Sequence, residues 1–111
     1  MLQAGMTEHC SSPWSSNVVF TKKTDSTLRF CVEYRRLNDL IYKELFPLPK
    51  VDSSLNDLGS SVYFSAMDMM SGFWHVVLDP KDAEKTAFVT RKWQFRFRAL
   101  SVGLANSPSI F

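Results

Sequence analysis

One aspartate, Asp68, closes the run Tyr63-Phe64-Ser65-Ala66-Met67 and is followed by Met69-Met70-Ser71-Gly72-Phe73. A carboxylate at the end of an apolar strand can be one hard oxygen ligand of a magnesium ion, whose other ligands are carboxylates, waters and substrate phosphates. The same residue can instead cap the turn before Gly72, and the local pattern alone favours that plainer role. Cations are the second set of candidates. Lys22, Lys23, Arg29, Arg35 and Arg36 cluster early, and Arg91, Lys92, Arg96 and Arg98 cluster late. Each cluster can line a phosphate track or form an ordinary solvated face. A formal charge of +2 is too small to establish a nucleic-acid partner by itself. Cys10 and Cys31 form no Cys-x-x-Cys unit and have no His at zinc-site spacing, so no structural metal is expected.

These groups need a scaffold, and the sequence outlines one. A length of 111 residues with 45% hydrophobic and 22% charged residues suits one globular unit with a modest core. The aromatic share, 14%, is high and is expected to serve mainly as packing. No apolar run can span a bilayer and none resembles a leader, so an intracellular setting with two free thiols is expected. After an irregular stretch from Cys10 to Ser16, the β-branched and aromatic residues of Asn17 to Lys23 predict a strand. Thr24-Asp25-Ser26-Thr27 supplies a turn, and Leu28 to Glu33 the returning strand. Tyr34 to Leu40 reads as a short helical or irregular segment, and Pro47 and Pro49 impose an extended one. Val51, Leu55 and Leu58 fall on one helical stripe, predicted to face inward, with Gly59 as the stop.

Strand-like runs follow at Ser61 to Asp68, Phe73 to Leu78 and Thr86 to Thr90, with Asp79-Pro80-Lys81-Asp82 as a turn and helix-start signal between the last two. Trp93, Phe95 and Phe97 alternate with Gln94, Arg96 and Arg98, which predicts a strand with one buried and one exposed face. Gly103 breaks that pattern. Asn106-Ser107-Pro108 then reads as a capped helix start with proline at its first position.

Several blocks in fixed order resemble the reverse transcriptase region of gypsy-type long-terminal-repeat retrotransposon Pol polyproteins. They are Ser11-Ser12-Pro13-Trp14-Ser15-Ser16-Asn17-Val18-Val19, Lys22-Lys23, Arg29 through Asn38, and Phe46-Pro47-Leu48-Pro49. Further blocks are Tyr63-Phe64-Ser65, Met67-Asp68, Ser71-Gly72-Phe73, Lys85-Thr86-Ala87-Phe88, Gly103-Leu104, and Asn106-Ser107-Pro108 with Phe111. The resemblance implies an α+β right-hand polymerase fold, with fingers over about residues 10–60 and the start of the palm over about residues 61–111. It implies that Asp68 is a catalytic aspartate and magnesium ligand, joined in the family by two aspartates of a later Tyr-x-Asp-Asp hairpin. No Asp-Asp pair occurs in these 111 residues, so the chain alone is expected to be inactive.

By the same resemblance Lys23 and Arg29 hold the incoming triphosphate, and Phe73 lies under its sugar as a gate against a 2′-hydroxyl. Arg35 and Arg36 are the candidates for template contact. The implied partners are an RNA or DNA template-primer, deoxynucleoside triphosphates and the remainder of a Pol polyprotein, with magnesium as cofactor and no membrane. Departures from the family pattern stand at Met69-Met70, at Trp74-His75, and at Leu100-Ser101-Val102, where Met-Pro-Phe is usual. A second reading is a noncatalytic nucleic-acid-binding remnant that uses the basic hairpin and the face of Gln94, Arg96 and Arg98.

Overall fold

The expected hairpin forms with the expected turn. A computed structural model describes residues 3–111. In it β2 (Asn17–Lys22) pairs antiparallel with β3 (Leu28–Glu33), from Asn17 opposite Glu33 to Lys22 opposite Leu28. Its turn contains a non-glycine residue in the left-handed region, Ser26 at φ 65°. That conformation is uncommon for Ser, and the Asp25 carboxylate offsets it by accepting hydrogen bonds from the backbone N–H and hydroxyl of Thr27. The same bonds hold the Asp25 carboxyl below its ordinary range.

A second, three-stranded antiparallel sheet has the order β1 (Thr7–His9), β5 (Gln94–Phe97), β4 (Phe88–Val89). Strand β1 has no sequence signature, because three residues are too few to show a period of two. The chain between β1 and β2 is irregular, as expected, yet it is tied down along its length. Gln94 accepts the Ser12 N–H and donates to the carbonyls of Ser12 and Trp14, and Ser16 bonds across to Ala87 and Val89.

The core lies between the inner face of the hairpin, α1 (Arg35–Leu40) and the three-stranded sheet. Val32, Tyr34, Leu37, Phe88, Phe95 and Phe97 are buried together, flanked by Val18, Phe30, Ile41, Leu78 and Leu104. Phe30, Phe88 and Phe97 form a chain of aromatic contacts at centroid distances of 5.5 and 5.4 Å, inside the favourable range for such pairs. Tyr34 is 2% exposed, and its hydroxyl donates to the Thr86 carbonyl at 2.9 Å. Thr86 in turn donates its hydroxyl to Ala83 and accepts the N–H of Phe97.

Several expectations are corrected. The helix α2 (Val51–Asp57) forms, but Val51, Leu55 and Leu58 are exposed because no other element lies across from that stripe. A helical period says which side chains share a face, and only tertiary packing covers it. Ser61 to Asp68 is irregular and unpaired, with Tyr63 94% and Met67 99% exposed, and a strand cannot exist without a neighbour to complete its ladder. The run Phe73 to Leu78 becomes a 3-10 turn, Gly72–His75, followed by one bridge between Val77 and Ala99. Of the predicted apolar face of β5, Phe95 and Phe97 are buried whereas Trp93, just before the strand, is 61% exposed. Helices α3 (Pro80–Ala83) and α4 (Ser107–Ile110) start where predicted, α3 with the Asp79 carboxylate accepting from Lys81 N–H. Asn106 does not cap α4. Its amide instead donates to the Tyr42 carbonyl and accepts from the Glu44 N–H.

The unpacked stretch from Tyr42 to Met70 leaves the chain expanded. Its radius of gyration is 17.1 Å, against about 13 Å for a compact domain of this length. The accessible area is 9251 Å², against roughly 6,200 Å² expected for this mass.

The Tyr34 hydroxyl gives a test of the core. Burial pushes its pKa well above the ordinary value of 10.0. The folded state therefore holds this proton more tightly than the unfolded chain, so the contribution is complete below pH 10 and is lost as pH rises beyond it. Tyr34→Phe should cost about 1–3 kcal/mol near neutrality, because the Thr86 carbonyl is left buried without its donor. Denaturant midpoints measured from neutral to alkaline pH should show that cost shrinking above the ordinary tyrosine value.

Candidate nucleotide and metal site

Asp68 sits on the exposed irregular segment that precedes the 3-10 turn. The chain reverses at Ser71, whose φ of 54° is left-handed, and Gly72 follows. A side chain at Gly72 would place its Cβ 2.7 Å from Cζ of Phe111, so glycine is what lets that ring approach. Phe111 then meets Phe73 edge to face, with centroids 5.5 Å apart. The outcome is an open concavity of about 450 Å³ lined by Met67, Asp68, Met69, Gly72, Phe73 and Phe111.

Asp68 and Phe73, paired by resemblance as metal ligand and sugar gate, thus face one common space. The sequence showed no part for Phe111 there, since a contact with a residue so distant along the chain has no local signal. Among the described residues, no three His, Cys, Asp or Glu side chains come together in a way that could hold a metal ion. Asp68 offers one ligand, which by itself does not make a metal site. His75, in the 3-10 turn, is exposed and its Nε2 lies 3.3 Å from the Met70 carbonyl oxygen.

Lys23 and Arg29 lie elsewhere, on the hairpin. Arg29 is opposite Thr21 in register, and Lys23 extends the ladder by donating its N–H to Thr27 at 2.8 Å. Alternation places both on the face away from Phe30 and Val32, and both side chains are exposed. Neither forms an ion pair with a described residue. Neither lines the concavity at Asp68. Arg35 is paired with Glu33 at 3.4 Å on an open surface, a contact of small energy. Arg36 borders a groove with Pro13, Trp14 and Lys85.

The face of Gln94, Arg96 and Arg98 is not a free basic stripe. Gln94 is engaged with the backbone of Ser12 and Trp14. Glu8 takes Arg96 at 2.7 Å and Arg98 at 3.8 Å.

Residues 21–111 match the family described as "Reverse transcriptase (RNA-dependent DNA polymerase)". The chain belongs to the reverse transcriptase family. Among curated proteins, the retrovirus-related Pol polyprotein from transposon 297 of Drosophila melanogaster is 32% identical over 116 aligned positions, covering 100% of this chain and 11% of the relative. The Pol polyprotein from transposon gypsy of the same organism is also 32% identical over 117 positions, again with 11% of its length covered. An RNA-directed DNA polymerase homolog of Oenothera berteroana is 36% identical over 85 residues, 77% of this chain and 60% of that protein. The reverse transcriptase chain described here therefore spans a small part of the Pol polyproteins it matches.

Solved structures agree on the fold. The native protease-reverse transcriptase of prototype foamy virus superposes with a TM-score of 0.79 at 26% identity, over 99% of this chain and 15% of that one. A foamy viral protease-reverse transcriptase in complex with double-stranded DNA gives a TM-score of 0.82 at 25% identity, over 99% and 23%. Reverse transcriptase membership carries a general requirement for a divalent metal. No helix of the described residues is long and apolar enough to cross a membrane.

The Gly72 contact gives the prediction for this site. Gly72→Ala is compatible with the backbone, since Gly72 has no positive φ, but its methyl group must displace the Phe111 ring. A double-mutant cycle between Phe73→Leu and Phe111→Leu should show a coupling of about 0.5–1.5 kcal/mol in the parent and near zero in Gly72→Ala.

Proposed function

We propose that this chain supplies the fingers, over about residues 10–60, and the start of the palm, over about residues 61–111, of an RNA-directed DNA polymerase. The reaction is template-directed nucleotidyl transfer. The observation that carries the reading is the shared concavity of Asp68 and Phe73 in a chain of this family. A carboxylate beside an aromatic wall suits a site where metal-bound phosphates and a sugar ring meet. Asp68 is assigned as one magnesium ligand, with the family's Asp-Asp pair and the substrate phosphates as the others. Magnesium, when bound, neutralises charge on the phosphate oxygens.

Phe73 fills the space beneath the sugar, where a 2′-hydroxyl would have to fit. Lys23 and Arg29 clasp the triphosphate from the hairpin, Arg with a forked donor and Lys with a mobile point charge. Both are free of ion pairs among the described residues, which leaves them available for an anion. Arg35 and Arg36 lie along the template. The substrates are deoxynucleoside triphosphates and an RNA or DNA template-primer, and the remainder of a Pol polyprotein completes the enzyme, in an intracellular setting. The noncatalytic reading is disfavoured by the engagement of Gln94, Arg96 and Arg98 within the fold.

Primer extension tests the assignment, with the 111-residue chain beside a longer chain that carries the Asp-Asp segment. Magnesium-dependent extension is expected from the longer chain alone, and templated extension by the short one would contradict the single-ligand argument. In the longer chain, Lys23→Ala and Arg29→Ala should each raise the KM for deoxynucleotides by roughly 10- to 150-fold while duplex affinity holds, as expected for a charge-assisted contact. Equal loss of both would exclude the triphosphate role. Phe73→Val should admit ribonucleotides while deoxynucleotide incorporation continues, and unchanged discrimination would make Phe73 a packing residue only.

A further inference from the structure

The turn between β4 and β5 shares no residue with the Asp68 concavity or with the β2–β3 hairpin, and it is built tightly. The Thr90 N–H and hydroxyl both donate to the Trp93 carbonyl at 2.9 Å, and the Trp93 N–H donates back to the Thr90 hydroxyl at 3.2 Å. One residue thus closes the turn and holds Arg91 and Lys92 at its tip. Both are exposed, and neither pairs with a carboxylate among the described residues. The acid on the adjoining strand, Glu8, is already engaged by Arg96 and Arg98.

Beside these cations stands a large ring outside the core. Trp93 is 61% exposed and rests edge-on against His9, with centroids 5.4 Å apart. His9 leans on Phe95 at 4.6 Å, which anchors the pair to the sheet. Between Trp93 and the end of β1 lies an open concavity of about 640 Å³ lined by His9, Cys10, Ser11, Trp93 and Gln94. An aromatic face held by packing, next to two unpaired cations, is the combination that binds an unpaired nucleic-acid strand: the ring stacks a base and the cations take the phosphates. The Gln94 amide N–H groups are both used by the backbone of Ser12 and Trp14, so they are not available to read base edges.

We propose that Arg91, Lys92, Trp93 and His9 form a stacking site for unpaired single-stranded nucleic acid, with little preference among bases. It needs no metal and does not depend on the polymerase reading. The charge at the tip favours a polyanion, and the ring beside it favours one that carries bases.

The test uses the 111-residue chain and a short fluorescent oligodeoxythymidine, with anisotropy read over a range of salt concentrations. Trp93→Ala should weaken binding about tenfold, whereas Trp93→Phe, which keeps a ring, should stay within about threefold of the parent. Arg91→Ala with Lys92→Ala should flatten the slope of log K against log salt by about 1.4, the value for two lost phosphate contacts on a single strand. Lys43→Ala with Lys50→Ala, which removes the same charge from exposed positions away from the turn, should leave binding unchanged. Binding by Trp93→Ala equal to the parent, an equal loss in the Lys43 and Lys50 variant, or equal competition by polyglutamate would overturn the proposal.

Discussion

The hydrogen bond from the Tyr34 hydroxyl to the Thr86 carbonyl joins the two halves of this structure. Tyr34 leads from the hairpin into α1, and Thr86 leads into β4, so the bond spans the two sheets inside a cluster of phenylalanines. A buried polar group is costly unless it is paired, and the Thr86 hydroxyl beside this bond is satisfied as well, donating to the Ala83 carbonyl and accepting the Phe97 N–H. Asn38 adds a second tie by accepting the Ala105 N–H and donating to the Gly103 carbonyl. The backbone there is held at a φ of 100° that suits glycine. Hairpin, α1 and three-stranded sheet are therefore one packed body, and the residues proposed to grip phosphates stand on its outer edge.

The contrast with residues 42–70 is physical. This stretch contains Tyr42, Leu45, Leu48, Val51, Leu55, Tyr63 and Met67, as apolar as any core segment, yet all are exposed. Its described side-chain ties to the rest of the fold are the two bonds made by Asn106 at Tyr42 and Glu44 and the contact of the His75 ring with the Met70 carbonyl. Asp68 lies near the end of this same stretch, so the proposed metal ligand is the least supported part of the site, while Phe73 is held from below by Phe111. A carboxylate on an unpaired segment gains a defined position only when something packs against that segment or when a ligand binds it.

Charge placement follows the same division. Where basic residues lie on the packed sheet, as Arg96 and Arg98 do, a neighbouring glutamate takes them and they serve the fold. Where they lie at hairpin tips, as Lys23, Arg91 and Lys92 do, no described carboxylate reaches them. The turns of β-ribbons project beyond the core and so leave cations in solvent, ready for a partner.

The sequence by itself determined the local features whose signals are short-ranged. These are the hairpin with its Thr24–Thr27 turn, the Asp79 cap, the period-two strand, and the ordered blocks that mark the family. Each depends on backbone preferences or on side chains a few residues apart. Tertiary structure decided the rest. It made Ser61 to Asp68 unpaired where apolar content suggested a strand, and it left the α2 stripe facing solvent. It turned Asn106 from a cap into a clamp, and it placed Phe111 against Phe73. Strand pairing and burial need a partner surface distant in the chain, and a local pattern records that a residue is apolar, not whether anything lies against it.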